Sequence, residues 1–276
     1  MSAQFDLAPY FERIGYHGPA RADLATLAEL TRLHPQAIAF ENLNPLTGRR
    51  VPLDPQSLQQ KLIGDGRGGY CFEHNGLMQL VLRALGFRVT PLGARVLWNV
   101  PEGTVLPRTH CLTLVDLDGE RYLVDVGFGA LTPTAPLRVQ AGVEQATPHE
   151  TMRLIQEGDT FMLEASTDGI WRPMYRFELQ PQLPSDYAMA NWYVSTFPES
   201  HFVTRLGVAR AAPGRRYTLR GAELAIHDLR EGTTRRRLES VDELRATLTD
   251  LFAIRLPNGP ELEAALTRAI AEGAPR

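Results

Sequence analysis

Lysine is almost absent: of the 29 basic residues, Lys61 is the only one that is not arginine. Lysine-based catalysis is therefore limited to one unpromising position. Cysteine is nearly as scarce, with only Cys71 and Cys111. The first residues carry Asp6, Glu12 and Arg13 with no long apolar core, so no secretory start is expected. A reducing cytoplasm is the expected compartment, and a Cys71–Cys111 disulfide is not expected there. No stretch approaches the ~18–20 apolar residues that a membrane span needs. Internal repeats and low-complexity tracts are missing as well. Nor is there a large excess of either charge: a net charge of −3 gives no pull toward nucleic acid or anionic membrane. The runs Arg215-Arg216 and Arg235-Arg236-Arg237 read as solvated faces rather than phosphate contacts.

What is present is a chain of 276 residues, more than one core usually holds, so two or three compact units are expected. Residues 1–88 read as mostly helical, with Asp23 and the Asp54-Pro55 pair as helix starts. Residues 89–196 read as short strands. Glu157-Gly158-Asp159 is a hairpin signal between Met152–Ile155 and Phe161–Leu163. Pro91, Pro181 and Pro184 read as loop punctuation. Residues 197–276 mix strands near 217–226 with helical patterns near 241–253 and 260–272.

The segment Arg67-Gly68-Gly69-Tyr70-Cys71-Phe72-Glu73-His74-Asn75 carries the chemistry. Two glycines allow a close backbone approach. A helical pattern then runs through Leu77, Met78, Val81, Leu82 and Leu85 to a stop at Gly86. Cys71 falls in the first turn, where free N–H groups and the helix dipole favour a thiolate. A buried structural thiol is the alternative for any single cysteine; a base and an acid further along the chain weigh against it here.

Both come from one hairpin. In Thr109–Gly127, two β-rich runs flank Asp118-Gly119, a strong hairpin signal. With those residues as the turn, Leu117 faces Glu120, Leu112 faces Asp125 and His110 faces Gly127. His110 and Asp125 then share a sheet face as diagonal neighbours, roughly 7–8 Å apart at the backbone. Asp116 lies near the solvated turn and Asp118 in it, whereas Asp125 is set between Val124 and Val126, where a carboxylate needs a partner. An imidazolium lowers a thiol pKa from near ~8.5, and Asp125 would fix the imidazole tautomer. The order Cys, His, Asp supports acyl transfer through a thioester. The Cys71 N–H is a candidate oxyanion donor. His74 is a competing base but is expected to be a supporting or surface residue, and Cys111 a packing residue. Zinc at Cys71, His74, His110 and Asp125 is a weaker reading, and no metal is expected. Gly64-Asp65-Gly66-Arg67-Gly68-Gly69 matches a dinucleotide pattern, but the helical Gln59–Ile63 before it argues against that fold.

These residues resemble the arylamine N-acetyltransferase family. Arg67–Cys71 with Asn75 looks like its nucleophile motif, Thr109-His110 its histidine strand, and Val124–Gly129 its aspartate motif. Phe40-Glu41-Asn42-Leu43-Asn44-Pro45-Leu46 is similar to its N-terminal signature, with Asn44 where the family often has Asp. Asn191–Thr196 and Ser200-His201-Phe202 resemble its later signature. The resemblance implies an α+β multidomain fold: an N-terminal helical bundle (1–88), a central β-barrel (89–196) and a C-terminal α/β lid (197–276), around a papain- or transglutaminase-like cysteine core. It implies that acetyl-coenzyme A, a co-substrate and not a permanently bound cofactor, acetylates Cys71. The acetyl group then passes to a small arylamine, arylhydrazine or hydrazide. Phe40, Phe128 and Phe202 would wall the acceptor; Thr109, Phe128 and Gly129 would meet the pantetheine arm; Glu41 and Arg67 would order the site. The alternatives are an amide synthase fed by a carrier protein and a cysteine amidase or transglutaminase-like enzyme. The motifs carry no information on oligomeric state.

Overall fold

The computed structural model describes residues 5–101 and 103–272. Its first part is helical: α1 (Ala8–Ile14), α2 (Leu24–Ala37), α3 (Leu43–Leu46), α4 (Pro55–Gln59) and α5 (Cys71–Ala84). Both expected helix starts are capped. The Asp23 carboxylate accepts the Thr26 N–H at 2.8 Å and the Asp54 carboxylate the Ser57 N–H at 2.9 Å. A π-helical turn over Gln60–Gly64 continues α4, so the glycine-rich loop follows helix and not strand. Tyr10 and Ile14, Leu27 and Leu30, and Leu77, Met78, Val81 and Leu82 form one core from α1, α2 and α5. Val115, Leu117, Val124 and Val126 close it from the barrel side, so α5 is packed against the sheet that carries the rest of the site.

Between α2 and α3 lies a two-residue strand, β1 (Phe40–Glu41). The central sheet is β2 (Arg88–Val96), β3 (His110–Leu117), β4 (Glu120–Val124), β5 (Leu137–Arg138), β6 (Glu144–Ala146), β7 (Thr151–Glu157), β8 (Thr160–Thr167) and β9 (Ile170–Pro181). Its order is β5-β4-β3-β2-β9-β8-β7-β6, with every pair antiparallel. The two edges are joined by a side chain. The Gln145 amide of β6 accepts the Arg138 N–H at 2.7 Å and donates to the Arg138 carbonyl at 2.9 Å, standing in for the eighth strand pairing that would close the barrel.

Two sequence expectations are corrected here. Pro91 is inside β2 and Pro181 ends β9, instead of both lying in loops. Leu92 already faces Pro181, so β9 runs out where Pro91 would have needed an N–H to pair. Residues 184–196 are not strand but helix α6 (Pro184–Thr196): Pro184 opens it and the Asp186 carboxylate accepts the Leu183 N–H at 2.7 Å.

A short helix α7 (His201–Thr204) leads to a second sheet, β1-β10-β11-β12-β13, with β10 (Gly207–Ala212), β11 (Arg215–Arg220), β12 (Glu223–Asp228) and β13 (Gly232–Arg237). Helices α8 (Val241–Ala246), extended by a π-helical turn over Thr247–Leu251, and α9 (Pro260–Ala271) cover one face through Leu219, Leu224, Leu244, Leu248, Leu262 and Leu266. Arg216 is not solvated, as the sequence suggested. It is buried, with Nε 2.7 Å from Glu150 Oε1 and Nη2 3.0 Å from the Thr132 carbonyl, tying β11 to the barrel. The architecture is thus α+β in three parts. As domains we propose 1–88, 89–196 and 197–276, with β1 paired across to the last of them.

Candidate active site

Cys71 is the first residue of α5, where backbone N–H groups have no helical partner. The preceding turn is set by a close contact: a Cβ on Gly68 would stand 2.1 Å from the Ala39 carbonyl oxygen, so only glycine lets the loop reach β1. The Glu41 N–H then bonds the Gly69 carbonyl at 2.7 Å. Glu73 caps the helix start, accepting the Tyr70 N–H at 3.1 Å, while its other oxygen takes Lys61 Nζ at 2.6 Å. The single lysine is thus part of the scaffold of the nucleophile turn.

The hairpin forms in the expected register, with Leu117 opposite Glu120 and positive φ at Asp118 (51°) and Gly119 (81°). The ladder stops at Thr113–Val124, however, so the pairs Leu112–Asp125 and His110–Gly127 are not made. The reason is Asn75. Its amide donates to the Cys111 carbonyl at 2.8 Å and accepts the Val126 N–H at 3.1 Å, occupying the rung those two residues would have shared. The same Nδ2 donates to Asp125 Oδ1 at 3.0 Å, and the Gly127 N–H does so at 3.0 Å. Asp125 is fully buried, and its other oxygen, Oδ2, accepts His110 Nε2–H at 2.7 Å. Burial alone would raise the Asp125 pKa; the His110 charge and hydrogen bond, with Asn75 and Gly127, hold it below its usual value.

With Nε2 committed to Asp125, Nδ1 is the His110 nitrogen left to face sulfur. Burial opposes the His110 charge, but Asp125, and after it Cys71, push its pKa up to about 10. Burial likewise raises the Cys71 pKa, yet hydrogen bonds from Cys111 and His110 and the His110 charge bring it down to about 6. Near neutral pH the arrangement is a thiolate beside an imidazolium, which is what a thioester-forming nucleophile requires. Cys111 does more than fill space: its thiol donates to the Cys71 carbonyl at 3.2 Å.

The remaining expected residues gather round this pair. The Thr109 carbonyl is 3.7 Å from the Cys71 sulfur. The Phe128 ring stands edge-on to His110 at 5.3 Å, and a Cβ on Gly129 would touch the Phe40 ring at 3.6 Å. Phe40 lies 6.2 Å from Phe202, which packs on Tyr70 at 5.1 Å. Arg67 donates through Nε (3.0 Å) and Nη2 (2.6 Å) to buried Glu41, whose second oxygen accepts the Leu43 N–H. Asn44 accepts from Arg67 at 3.1 Å and donates to the Arg50 carbonyl at 3.0 Å; an aspartate there would make only the first bond.

Sequence reasoning misses two contributors, the role of Asn75 and Tyr175. Asn75 belongs to the nucleophile-like motif and, four residues after Cys71, shares that helix face, but nothing local marks it as the side chain that ends the β3–β4 ladder. Tyr175 of β9 packs on His110 at 5.1 Å, its buried hydroxyl without a partner among the described residues; no local pattern marked it. Of the two readings left open for His74, supporting or surface, burial excludes the second: its nitrogens are bonded to His34 and the Ala39 carbonyl. Those bonds leave it no free nitrogen for a metal or for Cys71.

A model of an N-acetyltransferase family matches residues 23–260. An arylamine N-acetyltransferase of Mycobacterium tuberculosis is 44% identical over 269 residues, covering 95% of this chain and 94% of that protein. The structure of the Mycobacterium marinum arylamine N-acetyltransferase superposes with a TM-score of 0.93 at 42% identity, over 96% of this chain and 100% of that one. The same enzyme in complex with CoA gives 0.92 at 41% identity, over 96% and 99%. With motif order, fold and sequence in agreement along nearly its whole length, the chain belongs to the arylamine N-acetyltransferase family.

Proposed function

We propose that this protein transfers the acetyl group of acetyl-coenzyme A to the nitrogen of an arylamine, arylhydrazine or hydrazide, with Cys71, His110 and Asp125 as its catalytic residues. The observation that carries the reading is the buried His110–Asp125 pair (2.7 Å) beside a cysteine at a helix start. In the first half-reaction the Cys71 thiolate attacks the thioester carbonyl and the coenzyme A sulfur leaves, taking the proton from His110 Nδ1. In the second, the amine nitrogen attacks acetyl-Cys71 and Cys71 departs as thiolate. His110 takes the amine proton, which restores the ion pair. Asp125 keeps the imidazole in the tautomer that presents Nδ1 throughout.

Phe40, Phe128 and Phe202 supply apolar walls for the acceptor ring. Thr109, Phe128 and Gly129 line the approach of the pantetheine arm, and Glu41 and Arg67 order β1 against the nucleophile turn. Acetyl-coenzyme A comes and goes as co-substrate. Both cysteines are free thiols, and the mechanism needs Cys71 reduced, so we place the protein in the cytoplasm. No helix among the described residues is long and apolar enough to cross a membrane.

The test is intact-mass spectrometry after mixing with acetyl-coenzyme A alone. One acetyl group on Cys71, discharged by added aniline, is the expected result. A folded protein with alkylatable Cys71 that takes no acetyl group would instead favour a carrier-protein donor or amide hydrolysis.

A further inference from the structure

Behind the nucleophile helix, three buried polar side chains form a chain the mechanism above does not use. Tyr10 Oη lies 2.9 Å from His34 Nδ1, His34 Nε2 lies 2.8 Å from His74 Nδ1, and His74 Nε2 lies 3.2 Å from the Ala39 carbonyl oxygen. Tyr10, His34 and His74 are 0%, 0% and 1% exposed, so water does not compete for these bonds. The last acceptor fixes the direction of every link. A carbonyl can only accept, so His74 Nε2 carries its hydrogen and His74 Nδ1 must accept. His34 Nε2 therefore donates, and His34 Nδ1 accepts from the Tyr10 hydroxyl. Burial keeps both imidazoles neutral, as this one-way pattern requires.

The far end of the chain meets the site twice. Ala39, whose carbonyl it holds, immediately precedes Phe40, and the same oxygen accepts the Gly69 N–H at 3.3 Å, two residues before Cys71. The His74 ring itself lies parallel to the Phe40 ring, 6.3 Å away with 6° between the planes. Phe40 is thus held through its backbone, by the hydrogen bond that His74 makes to the Ala39 carbonyl, and at 6.3 Å the two rings are too far offset for the imidazole face to seat the phenyl ring.

We propose that His34 and His74 are positioning residues for the acceptor half-reaction: the directed Tyr10–His34–His74–Ala39 chain fixes the wall formed by Phe40 and so the seat of the aromatic amine. This rests on the acyl-transfer reading and on Phe40 as an acceptor wall. A packing role alone would need only the volume of these rings, whereas the chain needs a donor and an acceptor in order.

Two substitutions separate these cases. His34→Phe keeps a ring and removes both links. His74→Gln offers an amide that donates to the Ala39 carbonyl and accepts from His34. In wild type and variants, acetylation of Cys71 by acetyl-coenzyme A is followed by intact mass, and its discharge is measured against aniline concentration. For His34→Phe the aniline concentration at half-saturation rises about tenfold, the worth of one buried hydrogen bond, while acetylation changes less than about threefold. For His74→Gln both stay within about threefold of wild type. Should His34→Phe fail to fold, Tyr10→Phe, which deletes one oxygen, replaces it with the same direction of effect. Wild-type proton NMR is expected to show slowly exchanging imidazole N–H signals from His34 Nε2 and His74 Nε2, with the His34 signal absent in His34→Phe and, in Tyr10→Phe, exchanging faster because the link that fixes its tautomer is gone. Unchanged aniline saturation in the variant that breaks the chain overturns the proposal, as does a His74→Gln protein as impaired as the broken chain. A wild type that accepts no acetyl group overturns the acyl-transfer reading instead, and the NMR signal then decides whether the directed chain exists.

Discussion

At the scale of single residues, the candidate site is a matter of which proton sits where. Cys71→Ala is expected to remove acyl transfer while the protein still folds, checked by steady-state assay and circular dichroism. Asp125→Asn keeps the shape but puts an amide donor opposite His110 Nε2–H, forcing the wrong tautomer. Acetylation of Cys71 should fall by more than the ~10²–10⁴-fold of a simple acid–base loss, read by rapid-quench mass spectrometry. With the Cys71 pKa held at about 6, alkylation by iodoacetamide should lose half its rate near that pH as acid is added. In His110→Gln the midpoint should climb toward the ~8.5 of an ordinary thiol. Cys71, His110 and Asp125 were legible in the sequence because each chemistry has a local signature: a helix start, a strand, and a carboxylate among valines. Tyr175 and His34 carry no such mark, since each matters only through a contact made across the fold.

Elements were legible in proportion to how local their determinants are. The β3–β4 register followed from two turn residues, because a tight turn dictates every pair behind it. The early end of that ladder did not, because a side chain from α5 enters it. Asn75→Ala would strand the Cys111 carbonyl, the Val126 N–H and one Asp125 lone pair. A loss of roughly 2–4 kcal/mol is expected in urea unfolding, with acetylation impaired in the fraction that folds. Helix α6 departs from the expected strand for a different reason. Met189, Trp192 and Tyr193 lie on its outer side, so it has no one-sided apolar stripe to reveal its period. By contrast Asp23 announced α2 from sequence alone, and Asp23→Ala should cost about 1 kcal/mol, seen as a lower urea midpoint with activity retained at low denaturant.

For the molecule as a whole, acid is the revealing variable. The His74 pKa is held down to about 4 in the fold, chiefly by burial, against an unfolded value near 6.5. Between those pH values the unfolded chain binds more protons, so stability must fall as pH drops through that window. His110, pushed up to about 10, works oppositely: its contribution is full below 6.5 and is lost as pH rises through 10. Melting temperatures across pH 4–7 should therefore decline on the acid side, less steeply in His74→Gln, which has no proton to gain there. Barrel closure through Gln145 and the second sheet's use of β1 lay beyond sequence reading, because both join residues far apart along the chain.

That last pairing has a consequence for how the protein comes into being. Phe40 and Glu41 pair with Ala209 and Val208, while Phe40 also bridges to Gly69. A ribosome that has made the nucleophile, the histidine and the aspartate has still not made the strand that steadies the loop in front of Cys71. Competence for chemistry therefore arrives late in synthesis, and a nascent chain released before residue 207 carries all three reactive side chains without the clamp that aligns them.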